Sequence, residues 1–270
     1  MFKDMTIGQY LPTGSIIHKI DPRIKISIIF LFMIAVFTIP SIYLFIPVAI
    51  GLFIVTMLAK ISPKYIIKGI KPLRFIIILT FLINALVTPG ETIFKFWIFN
   101  LTDEGLLRAS FMAIRLILLV IGTSMLTLTT SPIELTDGLE SIFKPLSRFG
   151  FPAHELAMMM TIALRFIPTL IEESDKIMKA QKARGADFES GNLINRAKNL
   201  VPLLVPLFIN SLRRADELAT AMEARCYRGG EGRTRLNELK IETRDHIALA
   251  VSFIFLAAIV VSGIVFDFKI

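Results

Sequence analysis

The chain has 270 residues, 54% of them apolar, a formal net charge of +8 and a single cysteine, Cys226. One cysteine excludes an intramolecular disulfide framework. The apolar residues fall in long runs and the charges in a few blocks, a pattern of membrane spans joined by polar connections, so the positive charge points to connections beside anionic lipid and away from nucleic acid.

In chain order, the first apolar run begins near Ile24, and no small-residue cleavage site follows it, so no cleavable leader is expected. A span needs roughly 17–25 mostly apolar residues. Five segments meet this approximately, near 23–39, 42–59, 73–87, 109–130 and 246–265. Pro40-Ser41 turns the chain between the first two, and Lys60 to Arg74 reads as a basic connection holding Pro63 and Pro72. Thr88 to Arg108 reads as a longer loop whose Phe94, Phe96, Trp97 and Phe99 suit a membrane–water interface. The expected organisation is an N-terminal transmembrane bundle over 1–130, a coupling region over 131–245 and a C-terminal transmembrane helix within 246–270. The fold class is an all-α membrane protein of about five transmembrane helices plus three cytoplasmic or interfacial helices.

Lysine and arginine set the orientation. The stretch Lys60 to Arg74 holds five of them and no acid, and the N-terminal segment adds Lys3, Lys19, Arg23 and Lys25 on the same side. The loop after Val87 holds only Lys95, and the tail holds only Lys269. The protein is therefore expected in the cell membrane as a multi-pass chain, with the N-terminus and residues 131–245 on the cytoplasmic side and the C-terminus outside. Arg115 sits about two turns into the fourth span. Such an arginine is either an intramembrane functional group or a side chain that snorkels outward or pairs within the bundle.

The region after Ser131 predicts three helices. Ser131, Pro132 and Glu134 have the spacing of a capping box with proline in the first turn. The first helix should end near Gly150, the second should run from about Ala153 to Arg184, and the third from about Leu193 to Arg225. The latter two begin with an apolar half too short to be a secure span, interrupted by Pro168 in one and by Pro202 and Pro206 in the other. Both finish alike: Asp175, Ala180, Ala183 and Arg184 recur at the same offsets as Asp216, Ala221, Ala224 and Arg225, and each arginine is followed by a small residue, Gly185 or Cys226. A single tip of this kind is explained by helix capping and alanine's helix propensity. Two matching tips on one arm suggest a paired docking surface in which the arginine forks meet acidic grooves on partner proteins. Met158, Met159, Met160, Met178 and Met222 suit either a surface that repacks against several partners or ordinary core.

Catalytic signatures are missing. There is no Walker A motif, and Gly229 to Arg233 is only loosely phosphate-loop-like. His18, His154 and His246 lack metal-ligand spacing, and no acid falls deep in a span, so any driving energy must come from a partner.

These residues resemble the transmembrane T component of energy-coupling factor (ECF) transporters, the EcfT family. The resemblance rests on Ala163 to Leu170, on Gln181 to Asp187, on Met222 to Arg228 and on the N-terminal stretch Tyr10 to Lys25, and it covers essentially the whole chain. It implies a scaffold that joins two ABC ATPase subunits to a membrane-embedded substrate-binding S component, for uptake of vitamins or other micronutrients. By match, Ala183, Arg184 and Gly185 would contact one ATPase and Ala224, Arg225 and Cys226 the other. Family members often have glycine where this chain has Cys226. The resemblance implies no enzymatic activity, no metal, and no cofactor in this chain, with ATP bound by the partner ATPases. Two alternatives differ in class: an ABC-type permease with its own substrate pathway, for which Arg115 is the chief candidate, and an intramembrane lipid-modifying enzyme, which lacks the spaced aspartates a metal would need.

Overall fold

The structure is a computed structural model and describes residues 10–90, 92–96, 99–186, 188, 193–229 and 239–265. It divides into two compact units, one of Gly8–Gly138 with Glu238–Ile270 and one of Met1–Ile7 with Leu139–Asn237. The first is the bundle and the second contains the long arm.

In the bundle, α1 (Pro22–Thr38) starts where Asp21 accepts from the Arg23 backbone N–H and Pro22 occupies the first turn, and it stops at Ile39, before Pro40. A 3₁₀ turn (Ile42–Leu44) leads into α2 (Phe45–Leu58). The segment expected to be a connection is largely helical: α3 (Pro63–Ile70) and α4 (Arg74–Val87) are joined by a 3₁₀ turn at Lys71–Leu73. Pro63 in a first turn starts a helix, and a tight turn tolerates Pro72, so neither the prolines nor the dense lysines break this stretch into loop. The following loop contains a short antiparallel hairpin, β1 (Thr92–Phe96) and β2 (Phe99–Thr102), with Thr92 opposite Thr102 and Phe96 opposite Phe99. Trp97 lies outside the described residues. Next, α5 (Asp103–Thr129) begins six residues before the expected Ala109, because Thr102 caps it by accepting from the Gly105 N–H and the acids Asp103 and Glu104 favour the helix N-terminus. After the arm, α9 (Thr243–Val265) returns to pack on α1.

Residues of α1, α2, α5 and α9 share one core, including Phe32, Val36, Phe45, Val48, Leu118 and Ile259. Gly122 lets α1 and α5 approach, since a Cβ there would overlap the Phe32 ring. The outside is the reverse of a water-soluble domain: Phe30, Phe37, Tyr43, Phe53 and Phe75 are all more than 60% exposed. Apolar surface on this scale requires hydrocarbon as its solvent. Among the described residues of the bundle, three segments are long and apolar enough to cross a membrane, Pro63–Val87, Asp103–Thr129 and Thr243–Val265, and Ile42–Leu58 is apolar but shorter. The expected span at 23–39 corresponds to α1, whose 17 residues reach roughly 26 Å. In the arm, Ala153–Ala183 also qualifies by length and composition.

One end of the bundle is tied by polar bonds. Leu11 N–H donates to the Leu128 carbonyl (3.0 Å), and the Thr13 hydroxyl donates to the Ala59 carbonyl (2.8 Å) at the end of α2. Lys25 is buried and donates to the Thr129 carbonyl at 2.9 Å and the His18 carbonyl at 3.1 Å. Asp245, 1% exposed, accepts from the backbone N–H groups of Asp21 (2.9 Å) and Glu242 (2.8 Å). The N-terminal stretch 10–25 is therefore a strap joining the ends of α2 and α5 to the start of α9. It collects Lys19, Arg23, Lys25 and Lys60 at one end of the bundle, in line with the grouping expected from charge.

Candidate docking tips

Three helices lead to the tips. The first, α6 (Pro132–Phe143), begins with the expected reciprocal box: Glu134 N–H donates to Ser131 Oγ (3.2 Å) and Ser131 N–H to Glu134 Oε2 (3.0 Å). A 3₁₀ turn (Lys144–Phe149) follows and ends at Gly150 with φ +84, a left-handed conformation that glycine adopts without steric cost. Then come α7 (Ala153–Ala183) and α8 (Leu193–Ala224), both continuing through their internal prolines.

The two long helices pack antiparallel. Tyr227 OH donates to Met158 Sδ (2.9 Å), and His154 Nδ1 lies 3.0 Å from Glu140 Oε1. Midway, Glu173 accepts from Asn210 and pairs with Arg214 at 3.2 Å. Further along, Gln181 Nε2 reaches the Pro202 carbonyl (3.4 Å). Pro206 has no N–H to give the carbonyl four residues earlier, so Gln181 supplies the donor that the proline removed. Between these contacts Ile162, Phe166 and Leu170 of α7 face Leu218, Ala219 and Met222 of α8 across an apolar groove.

Both tips end in the same backbone cap. At the first, Gly185 N–H donates to the Lys182 carbonyl (3.0 Å) and Ala186 N–H to the Gln181 carbonyl (3.0 Å), with Gly185 at φ +89. At the second, Cys226 N–H donates to Glu223 (2.8 Å) and Tyr227 N–H to Met222 (3.0 Å), with Cys226 at φ +57. This is the Schellman arrangement with the arginine as the C-cap residue each time. The cap uses only backbone atoms, so both guanidinium groups are left over. Arg184 and Arg225 are exposed, as are Ala183, Gly185, Ala224 and Cys226, and neither arginine side chain has a hydrogen-bond or ion-pair partner among the described residues.

The tips do not form a single surface. Antiparallel packing sets Tyr227 beside Met158, so the second tip sits level with the start of α7 while Arg184 ends it. Along α7 that is a separation of about 40 Å, at about 1.5 Å per residue. The two tips matched by spacing thus lie at opposite ends of one helix pair.

Cys226 is one of two non-glycine residues with positive φ among the described residues, the other being Lys60. A Cβ in this conformation costs roughly 1–2 kcal/mol. Cys226→Gly is expected to raise stability of the arm by about 1 kcal/mol with no loss at the tip, as thermal unfolding of the purified chain would register; an unchanged or lower midpoint would contradict the strain.

Arg115 lies apart, in the bundle. Its Nη2 donates to the Ile39 carbonyl (2.8 Å) at the end of α1, and its guanidinium stacks 4.5 Å from the centre of the Phe111 ring. That carbonyl precedes Pro40 at a helix terminus and has no other use for its lone pairs within α1. Arg115→Met should lower thermal stability by about 1–3 kcal/mol, because it strands the carbonyl. A wild-type unfolding midpoint in that variant would show the bond to be dispensable.

Glu173 and Asn210, which help hold the arm in register, carry no mark in the sequence, and neither the spacing of His154 nor the stretch holding Tyr227 points to their contacts here. Positions 230–233 of the glycine-rich stretch lie outside the described residues.

Fold and tips together define a polytopic helical membrane protein bearing a long two-helix arm with duplicated, exposed arginine ends. A family profile described as CbiQ, cobalt transport protein, matches residues 13–236. Over 266 residues the chain is 56% identical to the energy-coupling factor transporter transmembrane protein EcfT of Clostridium kluyveri, covering 98% of both. It is 57% identical over 243 residues to the protein of that name from Thermosediminibacter oceani, covering 90% of this chain and 92% of the relative. It is 47% identical over 262 residues to that of Bacillus subtilis, covering 96% and 98%. The chain belongs to the family of energy-coupling factor transporter transmembrane proteins, EcfT.

Proposed function

We propose that this chain is the transmembrane coupling subunit of an ECF-type ABC importer, passing ATP-driven motion of two ATPase subunits to a substrate-binding S component for uptake of vitamins or other micronutrients. The observation that carries the reading is the pair of identically capped tips, each with an arginine fork that has no partner among the described residues, about 40 Å apart along α7. One ATPase docks on Arg184 with Ala183 and Gly185, and the other on Arg225 with Ala224 and Cys226. The small neighbours admit a partner's backbone, and the fork matches a carboxylate in two bonds.

In this reading the chain performs no catalysis. ATP is held by the ATPases, and no cofactor or metal is needed here. The N-terminus and the arm lie in the cytoplasm and the C-terminus outside, which follows from the collection of basic residues at the strapped end of the bundle. Separation of the tips gives the ATPases leverage: a change in the distance between them must bend or slide α7 against α8. The apolar groove between these helices, bridged midway by Glu173 with Asn210 and Arg214, is a contact along which the two helices can shift, as coupling requires.

The test is affinity purification of the full chain from its native membrane with mass spectrometry of what accompanies it. Two ATP-binding cassette proteins and at least one small membrane protein are expected. Recovery of the chain alone, under detergent conditions that hold a known ECF complex together, would contradict the proposal.

A further inference from the structure

The lysine-rich helix α3 has a face that the docking role does not use. From Lys60 to Val87 there are five basic residues and no acid. One side of α3 packs inward: Ile66 joins the cluster of Ala59, Ile61, Met125 and Leu128, and a Cβ on Gly69 would stand 2.9 Å from the Ser124 hydroxyl of α5. At 100° per residue, Lys64, Lys68 and Lys71 fall on the opposite side. All three are exposed and have no hydrogen-bond or ion-pair partner among the described residues, while Lys68 Nζ lies 5.7 Å from the centre of the Tyr65 ring.

The stripe is bordered by apolar surface. Ile67 is 64% and Tyr65 41% exposed beside it, and Phe75, at 71%, opens the bare apolar face of α4 directly beyond. A row of ammonium groups flanked by exposed isoleucine and tyrosine, at the start of a segment long enough to span a bilayer, fits the headgroup layer. An acidic soluble partner would match the lysines and leave Ile67 and Phe75 in water. An anionic phospholipid matches both, its phosphate against the lysines and its chains along α4. Side chains one turn apart have Cβ atoms about 6 Å apart, so Lys64 and Lys68 can reach one phosphate.

We propose that the outer face of α3 and of the turn that follows it, formed by Lys64 and Lys68 of the helix and Lys71 of the turn, is a binding site for the headgroup of an anionic phospholipid. Binding there anchors the junction of α3 and α4 at the membrane surface and fixes the depth of the Pro63–Val87 span.

The experiment uses the purified full chain in detergent, given an equimolar mixture of phosphatidylglycerol and phosphatidylcholine and read by native mass spectrometry. The wild type should retain phosphatidylglycerol selectively. Each lysine removed should weaken that retention about fivefold, so K64Q/K68Q/K71Q should lose the preference. K64R/K68R/K71R, which keeps the charge, should preserve it. The single Lys→Gln variants give the stepwise loss independently of whether the triple variant folds. Equal retention of both lipids by the wild type, or undiminished selectivity in the glutamine variants, would overturn the site. Loss of a co-purifying soluble protein from the glutamine variants with lipid selectivity intact would also overturn it, and would assign the stripe to a protein partner.

Discussion

Replacing both Arg184 and Arg225 with alanine should abolish co-purification of ATPase subunits while the chain still inserts and folds. The expectation follows from how the tips are built. Each helix end is closed by backbone bonds from Gly185 and Ala186 or from Cys226 and Tyr227, so the arginine side chains can go without opening the cap. What is lost is a fork of five donors and a fixed charge. Removing one member of a desolvated charge pair costs about 2–5 kcal/mol, which is on the order of 30-fold or more in affinity for each tip. The tips are far enough apart for their effects to add. Each single variant should be milder than the double, because the second tip still holds its ATPase close by. Arg→Lys at either tip should fall between, keeping charge but losing the bidentate geometry. Quantified ATPase recovery, with thermal unfolding of the chain as the folding control, reads all of these. Full recovery with the double alanine variant would remove the docking claim.

The second large effect is structural. Asp245→Ala should destabilise the bundle by about 1–3 kcal/mol, since it leaves the buried Asp21 N–H and the half-buried Glu242 N–H without their acceptor. Those groups belong to Asp21 and Glu242, so the substitution unties the start of α9 from the start of α1. Asp245→Asn keeps one good acceptor and should cost about half as much. Thermal unfolding in detergent measures both, and a wild-type midpoint for the alanine variant would show that the strap does not depend on this carboxylate.

The places where sequence reading succeeded and failed have physical causes. Helix ends were legible wherever local chemistry sets them: Ser131 with Glu134, Gly150, and the Ala-Arg-small tips all lie where their spacing predicted. The start of α5 was placed late because hydropathy follows apolar residues, whereas the cap is made by Thr102 ahead of two acids. The lysines on the outer face of α3 make the stretch read as a connection, although its inner face packs on α5 through Ile66 and Gly69. Nothing in the local sequence marks Asp245; its burial comes from the N-terminal strap, more than 200 residues away in the chain. The repeat of the tips was visible, yet their separation was not, because it depends on the antiparallel pairing of α7 with α8 through Glu173, Asn210 and Tyr227. Tertiary register of this kind leaves no periodic mark on either helix.

The most direct test of the docking claim uses the only thiol in the chain. Cys226 is exposed at the second tip, one residue from Arg225. Its rate of reaction with a maleimide should fall sharply when the purified ATPases are added to membranes containing the chain, and should not fall when Arg225 is alanine. Ala183→Cys in a Cys226→Gly background reports the first tip in the same way. Protection at both positions, each dependent on its own arginine, is the result the account predicts; an unchanged labelling rate at both, with the ATPases bound, would contradict it.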